Sequence, residues 1–189
     1  MSSDVILVIV VATALAFDFT NGFHDTANVV ATSISTGAAR PSVAIGLASL
    51  LNFAGAFISI SVAATVASDV VDSGAVTPTV VFAGLIGAIA WNLITWSFGL
   101  PSSSSHALIG GVVGSSVAAA GFSAVLAEGL VGKVLIPAVV APILAFIVAG
   151  IAIGVAYRVA GRQRPGTVTR GFRYGQLISG GMLALARVG

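Results

Sequence analysis

The sequence predicts an all-α, polytopic transmembrane protein whose helices are interrupted or re-entrant. Three observations carry this. The chain is 57% hydrophobic and only 7% charged, with a mean hydropathy of +1.10. A soluble domain carries about 25% charged residues, so this chain cannot cover a water-facing surface and lipid is its solvent. Thr77 to Phe98 and Ile136 to Tyr157 contain no charged residue, and each exceeds the ~18 residues that mark a spanning helix. The apolar stretches also lack the ~10-residue alternation of a barrel strand.

Taken in order, apolar segments run over 4–20, 24–36, 43–67, 77–98, 103–121, 134–157 and 175–186. No basic run precedes Val5 to Phe17, which reads as mature structure and not as a signal peptide. Breaks are expected near Asn21 to His24 and near Gly99 to Ser103. The segment over 24–36 gives only ~20 Å of helix against a ~30 Å hydrocarbon core. Gly99-Leu100-Pro101 and four serines interrupt a long apolar stretch. Exposed backbone ends are tolerated in a membrane only against protein or a watery cavity, so such breaks mark binding sites. Gly46, Gly55, Gly84, Gly87, Gly110, Gly111 and Gly114 offer small faces for close helix approach.

Charge divides the chain further. Arg158, Arg162, Arg164, Arg170 and Arg173 fall in one short stretch. Beside membrane spans such a run reads as a cytoplasmic loop under the positive-inside rule and not as a nucleic-acid patch. Arg40 belongs on the same side, with Asp69 and Asp72 on the other. The expected organisation is a membrane core over 1–157, an Arg-rich cytoplasmic loop over 158–173, and the start of a further membrane segment over 174–189.

Two polar constellations interrupt the apolar pattern. The first runs Asp18-Phe-Thr-Asn21-Gly22-Phe-His24-Asp25-Thr26-Ala-Asn28. Asp25 and Asn28 are three apart and share a helix face, which Thr32 continues. A carboxylate, an amide and a hydroxyl suit a hard cation or a hydrogen-bonded oxyanion. The second runs Trp91-Asn92-Leu-Ile-Thr95-Trp96, then Gly99-Leu-Pro101-Ser102-Ser103-Ser104-Ser105-His106. Proline and serine favour a new helix beginning near Ser103. Its free N–H groups and dipole suit a phosphate-like anion. His24 and His106 each adjoin a cluster and read as donors that orient their neighbours. Trp91 and Trp96 are either interface anchors or packing residues.

Several classes are excluded or disfavoured. The chain has no cysteine and two histidines, too few for a zinc site. It carries no nucleotide-binding glycine loop, nucleophile elbow or nucleic-acid module. A serine of 102–105 beside His106 lacks a third orienting group, so the chain is not read as an enzyme.

These residues resemble the Pit family of inorganic phosphate transporters. The family signature is Gly-Ala-Asn-Asp-Val-Ala-Asn-Ala; here the stretch is Gly22-Phe23-His24-Asp25-Thr26-Ala27-Asn28-Val29. Trp91-Asn92 and Gly99-Leu-Pro-Ser-Ser-Ser-Ser-His106-Ala-Leu-Ile-Gly110 match a second family stretch, and Asn52-Phe53 with Gly55 also fits. The resemblance implies a cation- or proton-coupled symporter of the plasma membrane built from two inverted repeats, of which this chain is one half. It implies phosphate binding by Asp25, Asn28, Ser103, Ser104 and Ser105, and coupling-cation binding by Asn21 and Asp25. His24, Thr95, Ser102 and His106 are expected to support them. No cofactor is expected beyond H⁺ or Na⁺, and no metal beyond a Na⁺ at Asp25. The implied partners are inorganic phosphate, the lipid bilayer and a second half or second copy of the chain, with no nucleic acid. The family's second signature is missing, so the chain is expected to be a truncated or separately encoded half.

Asp25 near a phosphate would repel it at low dielectric. A Na⁺ or proton at Asp25 removes the conflict and makes cation binding a condition for anion binding. No Arg or Lys lies between residues 41 and 132, so serine donors without fixed charge would hold and release the anion. The alternatives are a sulfate permease on the same scaffold and a non-transporting half-protein. An acceptor at Asp25 favours phosphate, which carries a proton at neutral pH where sulfate has none.

Overall fold

The computed structural model describes residues 3–56, 69–161, 163 and 165–186. Residues 57–67 of the segment expected over 43–67, together with Arg162 and Arg164, lie outside the described residues. The described chain is nearly all helical: α1 (Ser3–Ser35), α2 (Pro41–Ala56), α3 (Pro78–Ser97), α4 (Ser104–Ala120), α5 (Ala127–Ala160) and α6 (Pro165–Ala186). α5 contains a five-residue π-helical stretch, Val131–Leu135. No strand occurs among the described residues; the nearest approach is an isolated antiparallel bridge between Val71 and Val125. α1, α3 and α5 are long and apolar enough to cross a membrane, while α2 and α4 are shorter apolar helices. Phe19, Phe146 and Leu7 stand exposed, as side chains that face lipid would.

The chain forms two compact units that are not contiguous in sequence. The first comprises residues 1–28 and 60–130, and the second 29–59 and 131–189.

In the first unit, α3 and α4 pack as a hairpin. Thr77 caps α3, its hydroxyl accepting from the Val80 amide at 3.3 Å, with Pro78 opening the helix. α3 ends in a Schellman motif. Gly99 takes φ +65°, its amide donates to the Trp96 carbonyl at 3.0 Å, and the Leu100 amide donates to the Thr95 carbonyl at 2.8 Å. Small residues let the two helices meet. A side chain on Gly111 would collide with the Gly84 carbonyl, and one on Gly84 would sit 3.0 Å from the Val112 backbone. Ser115 donates across the hairpin to the Val80 carbonyl at 2.9 Å. Phe17 of α1 packs with Leu85 and Ala88 of α3, flanked by Ala107 and Leu108 of α4.

The second unit packs the end of α1 with α2 and α6. Its core holds Val29, Val30, Ala39, Ala44, Ala48 and Ala184. Arg173 donates through Nε to the Ala38 carbonyl at 2.7 Å, and the Thr36 hydroxyl donates to Gln176 Oε1 at 2.8 Å.

Two expectations are corrected. No break occurs at Asn21 to His24, because α1 runs through as one helix of 33 residues, or about 50 Å. Its hydroxyls return to the helix backbone: Thr20 donates to the Phe17 carbonyl at 2.8 Å and Thr26 to that of Gly22 at 2.5 Å. These two hydroxyls are thereby satisfied without opening the helix. The segment over 24–36 is therefore the second half of a spanning-length helix. The Arg-rich stretch is also not one loop. Arg158 lies in the last turn of α5, while Arg170 and Arg173 lie within α6, which opens at Pro165. Arginine is a good helix former, and proline suits a first helical turn.

The hairpin contact makes a contrast that can be measured. Gly111→Ala should destabilise the folded chain by about 1–3 kcal/mol through overpacking. Gly114→Ala, which meets open space, should be neutral or stabilising by up to ~1 kcal/mol through its lower unfolded-state entropy. Thermal unfolding in detergent should order the two variants in that sense.

Candidate functional site

The first unit brings the two polar constellations together. α1 presents His24 and Asp25, α3 presents Thr95 near its end, and the connection after the Schellman turn presents Ser102. His24 and Thr95 are both 4% exposed. His24 Nε2 lies 3.3 Å from Thr95 Oγ1 and 3.5 Å from Ser102 Oγ, and the two hydroxyls lie 3.0 Å apart. His24 Nδ1 lies 3.3 Å from Asp25 Oδ1. Thr95 Oγ1 also reaches the Trp91 and Asn92 carbonyls at 2.9 and 3.2 Å. It is thus the node between α1, α3 and the serine run.

The proton arrangement follows from donor and acceptor capacity. In the neutral His24 tautomer that carries its proton on Nδ1, that N–H donates to Asp25 Oδ1. Nε2 is then an acceptor, and a hydroxyl of Thr95 or Ser102 turns toward it. His24 thus lies within hydrogen-bond distance of Asp25, Thr95 and Ser102 at once. Phe23 and Trp96 clamp the same level edge-to-face, with ring centroids 5.4 Å apart. Trp96 thus meets α1 through Phe23, while over half of it stays exposed.

α4 begins at Ser104, where the Pro-Ser pattern places it. Ser103 is the N-cap, and its Oγ accepts from the His106 amide at 3.3 Å and lies 2.8 Å from His106 Nδ1. The Ala107 amide donates to the Ser103 carbonyl at 3.0 Å. The Ser104 and Ser105 amides, ahead of these two, remain for an outside acceptor. Ser104 is 1% exposed and its Oγ has no hydrogen-bond partner among the described residues, whereas Ser105 is exposed.

The remaining expected residues lie on α1. Asn28 shares its helix with Asp25 at the spacing of one face and is half-buried, and Asn21 Oδ1 is buried without a partner among the described residues. The residue contacts that join the two constellations pass through His24, Thr95 and Ser102. Sequence reasoning gave Asn92 no role. It is 1% exposed, and neither its Oδ1 nor its Nδ2 has a partner among the described residues. The available signal was a carboxamide inside an apolar spanning helix, which is costly unless used.

All six Asp and Glu residues of the chain belong to the first unit and none of the eight Lys and Arg do. The candidate site is therefore built from hydroxyls, amides, two histidines and carboxylates, without a fixed positive charge. Among the described residues no group of three or more His, Cys, Asp and Glu is placed to hold a metal ion.

A hairpin that ends one membrane helix and opens another over a polar cluster is an arrangement found at transporter binding sites. The chain belongs to the phosphate transporter family, whose model matches residues 21–187. It is 53% identical over 181 residues to a Mycobacterium bovis protein named "Probable low-affinity inorganic phosphate transporter", covering 96% of this chain and 43% of that one. A Streptomyces halstedii protein of the same name is 43% identical over 185 residues, covering 95% of this chain and 84% of that one. A Bacillus subtilis protein, also of that name, is 49% identical over 145 residues, covering 74% and 42%. These relatives are named as transporters and not as enzymes. A solved structure titled "The sodium-dependent phosphate transporter" shares the fold, with a TM-score of 0.76 at 21% identity over 97% of this chain and 54% of that one. The chain thus spans less than half the length of the mycobacterial relative and about half of the solved one.

The Thr95 node can be tested directly. Thr95→Val removes the shared hydroxyl while keeping the shape and should destabilise the chain by about 1–3 kcal/mol, because buried partners lose a hydrogen bond. Thr95→Ser should retain most of the stability. Thermal unfolding of both variants in detergent is the check.

Proposed function

We propose that this chain binds inorganic phosphate as part of a cation- or proton-coupled symporter of the plasma membrane, acting with a second half or a second copy of itself. The observation that carries the reading is the start of α4. Its first amides and a run of serine hydroxyls stand beside the His24–Thr95–Ser102 network, with no Lys or Arg in the unit.

In this reading the Ser104 and Ser105 amides, with the hydroxyls of Ser103 to Ser105, donate to phosphate oxygens. Asn28 adds an amide donor from α1, and Asp25 accepts from the phosphate proton. Asn21 and Asp25 bind the coupling cation. His24 and Ser102 hold Asp25 and the serine run in register through Thr95, and His106 steadies the Ser103 cap. A bound cation neutralises Asp25 before the anion arrives, so the two bind with positive coupling. Donors without fixed charge release phosphate more readily than a guanidinium clamp would. Residues 1–157 then form the membrane core of one repeat, 158–173 its Arg-rich cytoplasmic side, and 174–189 the start of the next. Multi-pass insertion follows from the spanning-length helices.

Phosphate binding measured against Na⁺ concentration and pH separates the roles. Asp25→Asn should abolish the cation dependence, because a neutral amide needs no neutralising. Asn28→Ala should weaken phosphate binding by about 1–3 kcal/mol and keep the cation dependence. Unchanged cation dependence in Asp25→Asn would remove Asp25 from the coupling role.

A further inference from the structure

The second unit holds all eight Lys and Arg residues of the chain and none of its six Asp and Glu residues. Such a segregation leaves the arginines without acidic partners inside their own unit. Among the described residues, Arg158 and Arg170 make no ion pair. Arg173 is spent on the Ala38 carbonyl.

Beside Arg158 the same unit has a groove of about 670 Å³, within the ~300–1,000 Å³ of ligand sites. Its floor is the α6 face of Gly171, Gly175 and Ser179, and Ala156 and Val159 of α5 form a wall. The two glycines of that face help leave the groove open, and Val168, Phe172 and Leu183 also line it. Its lining is mainly apolar, with polar groups from Gln163, Thr167 and Gln176. Arg158 lines an adjoining recess of about 360 Å³, which shares Val159 and Gln163 with the groove. An unpaired guanidinium thus stands at one edge of an apolar slot on a membrane-spanning helix.

We propose that this groove holds one anionic phospholipid, with an acyl chain along Gly171, Gly175 and Ser179 and the headgroup phosphate at Arg158. Charge complementarity selects the occupant. The basic unit offers no internal counter-ion, and a guanidinium pairs well with a phosphate oxygen pair. The apolar floor requires a hydrocarbon partner, which free inorganic phosphate lacks. Basic pockets between membrane helices bind anionic headgroups for the same reasons. The site lies in the second unit and uses none of the residues assigned to phosphate transport, so it stands or falls apart from that reading.

Native mass spectrometry of the purified chain in detergent tests the proposal, with dioleoyl phosphatidylglycerol and dioleoyl phosphatidylcholine as probes. The expected result is retained phosphatidylglycerol in preference to phosphatidylcholine. Arg158→Gln should weaken phosphatidylglycerol binding about fivefold, the effect of one basic contact near a bilayer surface, and leave phosphatidylcholine unchanged. Arg40→Gln, which removes an exposed charge that does not line the groove, should change neither. Gly175→Leu should fill the slot and reduce retention of both lipids. If that variant does not fold, the comparison of Arg158→Gln with Arg40→Gln still decides. Equal retention of the two lipids, or equal losses from the two arginine variants, would overturn the proposal. Displacement of the lipid by inorganic phosphate would reassign Arg158 to a free-anion site, and loss of lipid on dimer formation would give the groove to a second copy.

Discussion

The hydrogen bonding of the turn between α3 and α4 is the constraint on which the rest of the first unit depends. A helix that ends within or beside hydrocarbon must satisfy its last carbonyls and leave its successor's first amides facing something polar. Gly99 performs the first task by taking a positive φ, which gives the Thr95 and Trp96 carbonyls their partners. Ser103 performs part of the second by capping His106. What remains at Ser104 and Ser105 is an anion-seeking end without a cation. Because the Thr95 carbonyl anchors the turn and the Thr95 hydroxyl meets His24, the same residue fixes the backbone and links it to α1.

That arrangement gives a physical sense to the scarcity of positive charge near the serines. Neutral donors at a helix end bind an anion more weakly than a bidentate arginine does. Asp25, 20% exposed at its side chain and 3.3 Å from His24, brings a carboxyl group to the same network. The basic residues serve the other unit, where water and lipid headgroups are the natural partners of arginine.

Much of this was legible in the chain because it rests on local chemistry. Pro101 with Ser103 announced the start of α4 to within a residue, and the charge-free runs announced α3 and α5. The break expected at Asn21 to His24 rested on taking 24–36 as a separate short segment, whereas it continues the helix over 4–20. In lipid a helix that keeps its backbone bonds is favoured, and threonines at 20 and 26 can bond back to their own helix. The arginine run was read as a loop from the positive-inside rule, which concerns the side of the membrane and not helix content, and arginine extends a helix readily. The π-helical stretch at Val131–Leu135 left no sequence mark. Neither did the meeting of His24 with Thr95, 71 residues apart in the chain; only packing creates it. Asn92 was visible as a polar residue, but its burial was not.

Hydrogen–deuterium exchange, resolved to single amides, tests the central claim most directly. With the chain in detergent and Na⁺ present, adding inorganic phosphate should slow exchange at Ser104 and Ser105, the two amides left open at the start of α4, while the amides within α6 stay unchanged. Undiminished exchange at Ser104 and Ser105, with phosphate protection appearing instead around the arginines of α5 and α6, would contradict the account.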